Sequence, residues 1–209
     1  MSTGTPRNSE HPVEPLFLER WSPRAFDGTR VEKAALNSMF EAAHWAPSAF
    51  NAQPWRFIYA LRGDSAWERL LGLLMPFNIN WAQNAGALVF ICSDTLIVMK
   101  AGQPPQPSHS HSFDAGAAWA FMALQAMRLG YHAHGMTGVD FERARSELKL
   151  PAQFRLEAAI AVGRRGNKSS LPESLQAREA PSDRKPINSL IYHGHFGAAP
   201  HGEDQSETV

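Results

Sequence analysis

One cysteine, Cys92, stands among 209 residues. A single thiol closes no internal disulfide, so the sequence reads as that of a protein kept in a reducing compartment. An excess of one charge is also lacking: 20 Lys and Arg balance 20 Asp and Glu. Nucleic-acid binders rely on a basic surplus to neutralise phosphates, and the composition supplies none. Long apolar runs are missing too. The longest stretch of apolar residues and glycine, 115–124, is about half of the ~20 residues that a membrane-spanning helix requires. Residues 1–12 have no apolar core of the kind a secretory signal carries, which makes the cytoplasm the expected location.

Several catalytic signatures are absent. No G-x-G-x-x-G follows a candidate strand, which argues against a Rossmann dinucleotide site. The stretch from Gly163 to Ser169 approximates a phosphate loop, but Asn167 separates Gly166 from Lys168. There is no G-x-S-x-G elbow, and Cys92 lies in an apolar run where packing is the simpler reading than nucleophilic attack.

What is present is a globular composition, 44% hydrophobic and 19% charged, sized for one domain. We expect that domain over residues 13–197, between loose polar tails at 1–12 and 198–209. Leu36, Met39, Phe40 and Ala43 fall on one helical face and predict a helix over 31–44, stopped by Pro47. Alternation predicts a strand over 55–61. Asp64 is placed to cap a helix over 66–74, and 87–92 reads as a buried strand. Residues 114–129 are apolar on every side of a helix that Gly130 ends, a pattern of a core-central or subunit-interface helix. A strand over 131–136, a helix over 141–148 and a strand over 158–162 complete the pattern. Elements mix without regular βαβ alternation, which predicts an α+β fold with a small sheet.

Three His-x-His pairs, 109/111, 132/134 and 193/195, have metal-compatible spacing on a strand. No carboxylate or thiol stands at a matching short spacing, so the sequence favours surface and loop histidines and no metal. Three polar clusters carry more. Pro23 disfavours helix before it, so Arg20, Ser22 and Arg24 share one side of an extended segment, a layout suited to a phosphate monoester. Solvated arginines are the plainer alternative. Between Pro47 and Trp55, Asn51 and Gln53 offer amides that match a heterocycle edge, or that satisfy their own turn. The glycines in Gly135-Met136-Thr137-Gly138 let a flat ring approach the backbone, unless this is an ordinary turn capped by Asp140.

Together these segments resemble the FMN-dependent nitroreductase family, from about residue 19 to 196. The most specific string is P-S-x-x-N-x-Q-P-W at Pro47 to Trp55. R-x-S-x-R-x-F at Arg20 to Phe26, Asp114 to Ala118, Gly135 to Asp140 and Arg184-Lys185-Pro186 follow in the family's order. The resemblance implies a nitroreductase-like α+β fold, a small, mainly antiparallel sheet flanked by helices in an intertwined homodimer. It assigns the FMN phosphate and ribityl chain to Arg20, Ser22 and Arg24, with Arg184 closing the phosphate site. Pro47, Ser48, Asn51 and Gln53 would reach the flavin of the partner subunit. Asn78 would contact the ring, and the Thr137 and Gly138 backbone would lie beside flavin N5.

The implied chemistry is ping-pong hydride transfer from NADH or NADPH through flavin N5 to an electron-poor nitroaromatic, quinone or enal. No catalytic acid or base from the protein is required. Three departures stand out. Trp21 and Trp81 occupy positions that are often basic in relatives, leaving less positive charge near the cofactor. Thr137 stands where some members carry Glu. A metal-dependent hydrolase built on the histidine pairs, or a flavin-binding protein without turnover, are the rival readings.

Overall fold

The chain is described by a computed structural model over residues 7–200; residues 1–6 and 201–209 of the two expected tails lie outside the described residues. The fold grows from one apolar strand. Strand β2 (Ala87–Asp94) is buried along nearly its whole length, as a run without polar alternation requires when both sheet faces are covered. It pairs antiparallel with β1 (Trp55–Leu61) on one side and β6 (Phe154–Gly163) on the other. Strand β5 (His132–Met136) adds antiparallel to β6, giving the order β1-β2-β6-β5. The sheet is therefore wholly antiparallel, and the α+β architecture predicted from the sequence is the one observed.

Side chains alternate across this sheet into two cores. Val89, Ile91, Ile160 and Val162 pack on one face with α2 (Lys33–His44) and α5 (His111–Arg128). Leu88, Phe90, Ala159 and Ala161 pack on the other. That second face is covered by three short helices, α3 (Trp67–Leu71), α4 (Pro76–Ala82) and α6 (Phe141–Glu147). Outside the sheet lie α1 (Pro15–Glu19), a two-residue ladder of β3 (Leu96–Ile97) with β4 (Gln106–Pro107), and α7 (Glu173–Gln176).

Two expectations fail locally. Helix α3 covers only part of the predicted 66–74, and the Asp64 side chain does not cap it. The carboxylate instead accepts the Leu61 amide at 3.0 Å and pairs with Arg30 at 2.7 Å; closing the turn after β1 outcompetes capping. Helix α4 was not anticipated. Pro76 at its first position starts it, but its seven residues are too few for periodicity to register. Asp140 does cap α6, accepting the Arg143 amide at 3.1 Å.

Helix α5 buries Ala115, Ala118, Met122, Ala123 and Ala126 against the sheet, while Phe113 is 83% exposed and Phe121 41%. Its first turn also holds the loop before β1. The buried Asp114 carboxylate accepts the Ala49 amide at 3.2 Å and the Ser110 hydroxyl at 3.0 Å. Asp114→Ala would strand both donors, and urea unfolding is expected to show a loss of about 1–3 kcal/mol, with Asp114→Asn recovering part of it.

Candidate active site

Residues 20–26 are extended, and burial alternates along them. Trp21, Pro23 and Ala25 face the interior, while Arg20, Ser22 and Arg24 are half-buried on the other side. The Phe26 bridge to Arg165 and the Arg165 guanidinium over the Trp21 ring fix this register. Facing the three polar residues is the segment after α7. Glu179 anchors that segment by accepting the Arg24 and Ala25 amides at 2.9 Å. Between the two lies a cleft of about 480 Å³ into which Arg7, Arg20, Arg24, Arg178 and Arg184 all project, with Ser22 and His134.

The charge in this cleft is only partly compensated, by Glu179 acting on Arg24 and Asp183 on Arg7. Among the described residues, none of the five arginines lies within salt-bridge distance of a carboxylate. Burial, then the like charges of Arg184 and Arg7, lower the proton affinity of the Arg20 guanidinium. Arg24 is lowered by burial and then by Arg178. Among the described residues its Nε is buried with no partner, as are Nε and Nη2 of Arg7. Guanidinium groups stay charged, and buried unpaired cations of this kind are complementary to an anion with several acceptor oxygens.

His134 lines both this cleft and a second one of about 550 Å³. The second cleft is bounded by Gly135, Met136, Thr137 and Gly138, by Asn78 and Phe77 of α4, and by Trp119 of α5. Asn78 is fixed by donating to the Gly138 carbonyl at 3.0 Å, an oxygen that also accepts the Met75 amide at 2.9 Å. Gly138 is required by close approach: a Cβ there would fall 2.2 Å from Asn78 Nδ2. Among the described residues the Thr137 and Gly138 amides make no hydrogen bond, leaving two adjacent donors at the cleft.

The fold thus gathers the sequence-selected residues into two groups, Arg20, Ser22, Arg24 and Arg184 in one cleft and Asn78, Thr137 and Gly138 in the other. Pro47, Ser48, Asn51 and Gln53 line neither. They form an exposed or half-buried loop in which Phe50, Asn51 and Gln53 all adopt left-handed backbone, φ 51°, 54° and 47°. Ser48 Oγ accepts the Gln53 amide at 3.0 Å, and the Gln53 side chain donates to the Asn51 carbonyl at 3.2 Å. Three non-glycine residues at positive φ cost backbone energy, and strain of this kind concentrates where a loop presents groups to a ligand.

Sequence reasoning missed several cleft residues. Arg7 and Arg178 sit in polar stretches with no motif. His132 and His134 are partly buried strand residues, not the surface histidines expected. The His134 ring lies 4.6 Å from that of Trp81, and its Nδ1 is 2.9 Å from the Pro23 carbonyl. Trp81, at the position often basic in relatives, is wholly buried core. Glu157 enters the second cleft because a bulge opposite Ile91 and Cys92 makes it the extra residue of β6. There it accepts the Ser93 hydroxyl at 2.5 Å and that of Ser112 at 2.7 Å. Cys92 is packing: burial pushes its thiol up to about 12. Among the described residues no three His, Cys, Asp or Glu side chains converge as metal ligands.

An arginine-lined cleft and one floored by backbone thus share His134 as a common wall. The family profile described as Nitroreductase family matches residues 18–164, and the chain belongs to that family. A crystal structure of an FMN-containing oxidoreductase superposes with a TM-score of 0.90 at 47% identity, covering 95% of this chain and 100% of that one. The NADH dehydrogenase of Thermus thermophilus is 27% identical over 201 residues, 83% of this chain and 92% of that protein. The CLA biosynthesis enone reductase of Lactiplantibacillus plantarum is 25% identical over 182 residues, 71% and 83% of the two chains.

Burial lowers the His134 pKa to about 4, against the opposing pull of the Pro23 carbonyl. The native state therefore holds this ring neutral while the unfolded chain titrates it near the ordinary 6.5. Its contribution is complete above that pH and is lost as pH falls from 6.5 toward 4. Thermal melts of wild type and His134→Gln are expected to converge across that window, with wild type losing on the order of 2–3 kcal/mol that the variant does not.

Proposed function

We propose that this chain is an FMN-dependent oxidoreductase that draws hydride from NADH or NADPH and delivers it to an electron-poor acceptor. The observation that carries this reading is the pair of clefts joined at His134: one needs a multivalent anion, and the other presents two free amides beside Asn78. A phosphorylated flavin has both features. When bound, FMN supplies the hydride transfer itself, serving donor and acceptor in turn.

The chain's part is to bind and orient. Arg20, Arg24 and Arg184, with the Ser22 hydroxyl, hold the phosphate through charge-assisted hydrogen bonds. Neutral His134, its Nδ1–H committed to Pro23, keeps Nε2 as an acceptor for a hydroxyl of the ribityl chain. The Thr137 and Gly138 amides donate to the polar edge of the ring, and Asn78 is held ready at the same edge by the Gly138 carbonyl. No protein nucleophile is needed, which accords with a buried, inert Cys92. With one binding face for nicotinamide and acceptor, the kinetic order is ping-pong. Acceptors are flat and electron-poor: nitroaromatics, quinones or conjugated carbonyls.

The working unit is a homodimer. Supporting this are the exposed apolar residues Phe113 and Phe121 of α5 and the arm carrying Leu190, Ile191, Tyr192 and Phe196, the last 89% exposed. A second copy covers such surface at low cost in desolvated polar groups. It also gives the strained 47–53 loop a role, as the element that closes the ring cleft of the other copy.

Purified protein is expected to be yellow, to release FMN on heating, and to elute as a pair of 23.1 kDa chains. Anaerobic mixing with NADH or NADPH should bleach the flavin absorbance, and an added quinone or nitroaromatic should restore it. A colourless protein that takes up no flavin, or a flavoprotein that neither nicotinamide bleaches, would overturn this function.

A further inference from the structure

We propose that Arg7, on an N-terminal arm outside the family's matched span, is a direct ligand of the cofactor phosphate. This inference rests on the functional reading above. Arg7 lies thirteen residues upstream of Arg20, and nothing in the sequence marks it. In the structure its Nη1 donates to the Leu18 carbonyl at 3.2 Å and the Arg20 carbonyl at 2.8 Å. These oxygens close the C-terminal end of α1, and the pair of bonds sets the plane of the guanidinium.

With Nη1 so committed, Nε and Nη2 remain, the two nitrogens on the side-on edge of the group. Both are buried, both lack a partner among the described residues, and the residue lines the same cleft as Arg20, Ser22, Arg24 and Arg184. A side-on Nε and Nη2 edge is the face by which arginine chelates two oxygens of a phosphate. Burial and the charge of Arg184 act against the guanidinium there, and Asp183 offsets only part of this. A surface arginine serving only to staple α1 would gain nothing from this edge being turned inward.

The arm is tied across the cleft as well. Glu10 accepts the Ile187 amide at 3.2 Å, joining the arm to the segment that carries Arg184. Arg7 and Arg184 therefore approach the phosphate site from opposite ends of the chain. The family core, residues 18–164, supplies Arg20 and Arg24, while the two flanking segments close over them as a clasp. Removing the clasp should speed cofactor loss without disturbing the ring cleft.

The test is fluorescence titration of the apoprotein with FMN and with riboflavin, which lacks the phosphate. Wild type is expected to prefer FMN strongly. Arg7→Gln should weaken FMN binding about 10- to 100-fold, the range for a lost charge-assisted pair, while leaving riboflavin binding within about twofold. Arg7→Lys, which keeps the charge but not the side-on edge, should fall between the two. Retained riboflavin binding certifies that each variant is folded. Unchanged FMN affinity in Arg7→Gln, or an equal loss for both flavins in Arg7→Gln and Arg7→Lys, would overturn the assignment and leave Arg7 a structural staple. A wild type that binds neither flavin would be a different failure, that of the functional reading itself.

Discussion

Like charge drawn together in a half-buried cleft is the constraint around which this molecule is arranged. Five arginines converge between the extended 20–24 segment and the chain after α7, and among the described residues none of them forms an ion pair with a carboxylate. Glu179 spends both oxygens on the Arg24 and Ala25 amides, so it positions the segments while offsetting only part of the burial and like charge acting on Arg24. A fold selected for stability alone would pair these cations or leave them in water. Arg7, Arg20 and Arg24 are half-buried while Arg178 and Arg184 are exposed, and the anion of the proposed cofactor would complete the set. The alternating burial of Trp21, Pro23 and Ala25 turns three polar side chains to one side, and His134 carries the cleft through to the ring site.

The ring site depends in turn on the sheet. Because β6 is covered on both faces, its partner β5 can end in a rigid turn whose amides are spent on nothing else. Gly138 admits the Asn78 side chain to within a distance no other residue would allow. The β6 bulge turns Glu157 into the same cleft, where Ser93, Ser112 and His111 gather around it, His111 Nδ1 lying 2.8 Å from the Ser93 hydroxyl. On the opposite wall, α5 carries both an exposed apolar face, with Phe113 and Phe121, and the Asp114 that ties down the strained loop. Core packing and loop presentation are thus functions of one helix, which would also carry the proposed subunit contact.

Much of this was legible in the residues. The 55–61 strand, the central helix, the Asp140 cap and the extended 20–26 segment all follow from periodicity, from a capping side chain or from the restriction that proline places on its neighbour. What escaped did so for physical reasons. Helix α4 is set by a proline and is too short to show a period, while α3 lies within the expected 66–74 helix but ends early. The Asp64 carboxylate had two competing uses, and sequence cannot weigh an Arg30 that arrives from thirty-four residues away. Arg7 and Arg178 are ordinary arginines in polar stretches until the fold brings them to one cleft. His134 reads as a surface or loop histidine because spacing says nothing of a tryptophan packed against the ring. The spacing of Arg20, Ser22 and Arg24 groups those three, the resemblance adds Arg184, and all four line one cleft; what they hold is the functional claim.

That claim is tested most directly by a crystal structure of the protein as purified with its own chromophore. The account predicts FMN, its phosphate within hydrogen-bond distance of Arg20, Arg24 and Arg184. It also predicts the ring edge on the Thr137 and Gly138 amides and the 47–53 loop of a second copy against the ring. A flavin seated elsewhere, or a phosphate that leaves these guanidinium groups unpaired, would contradict it.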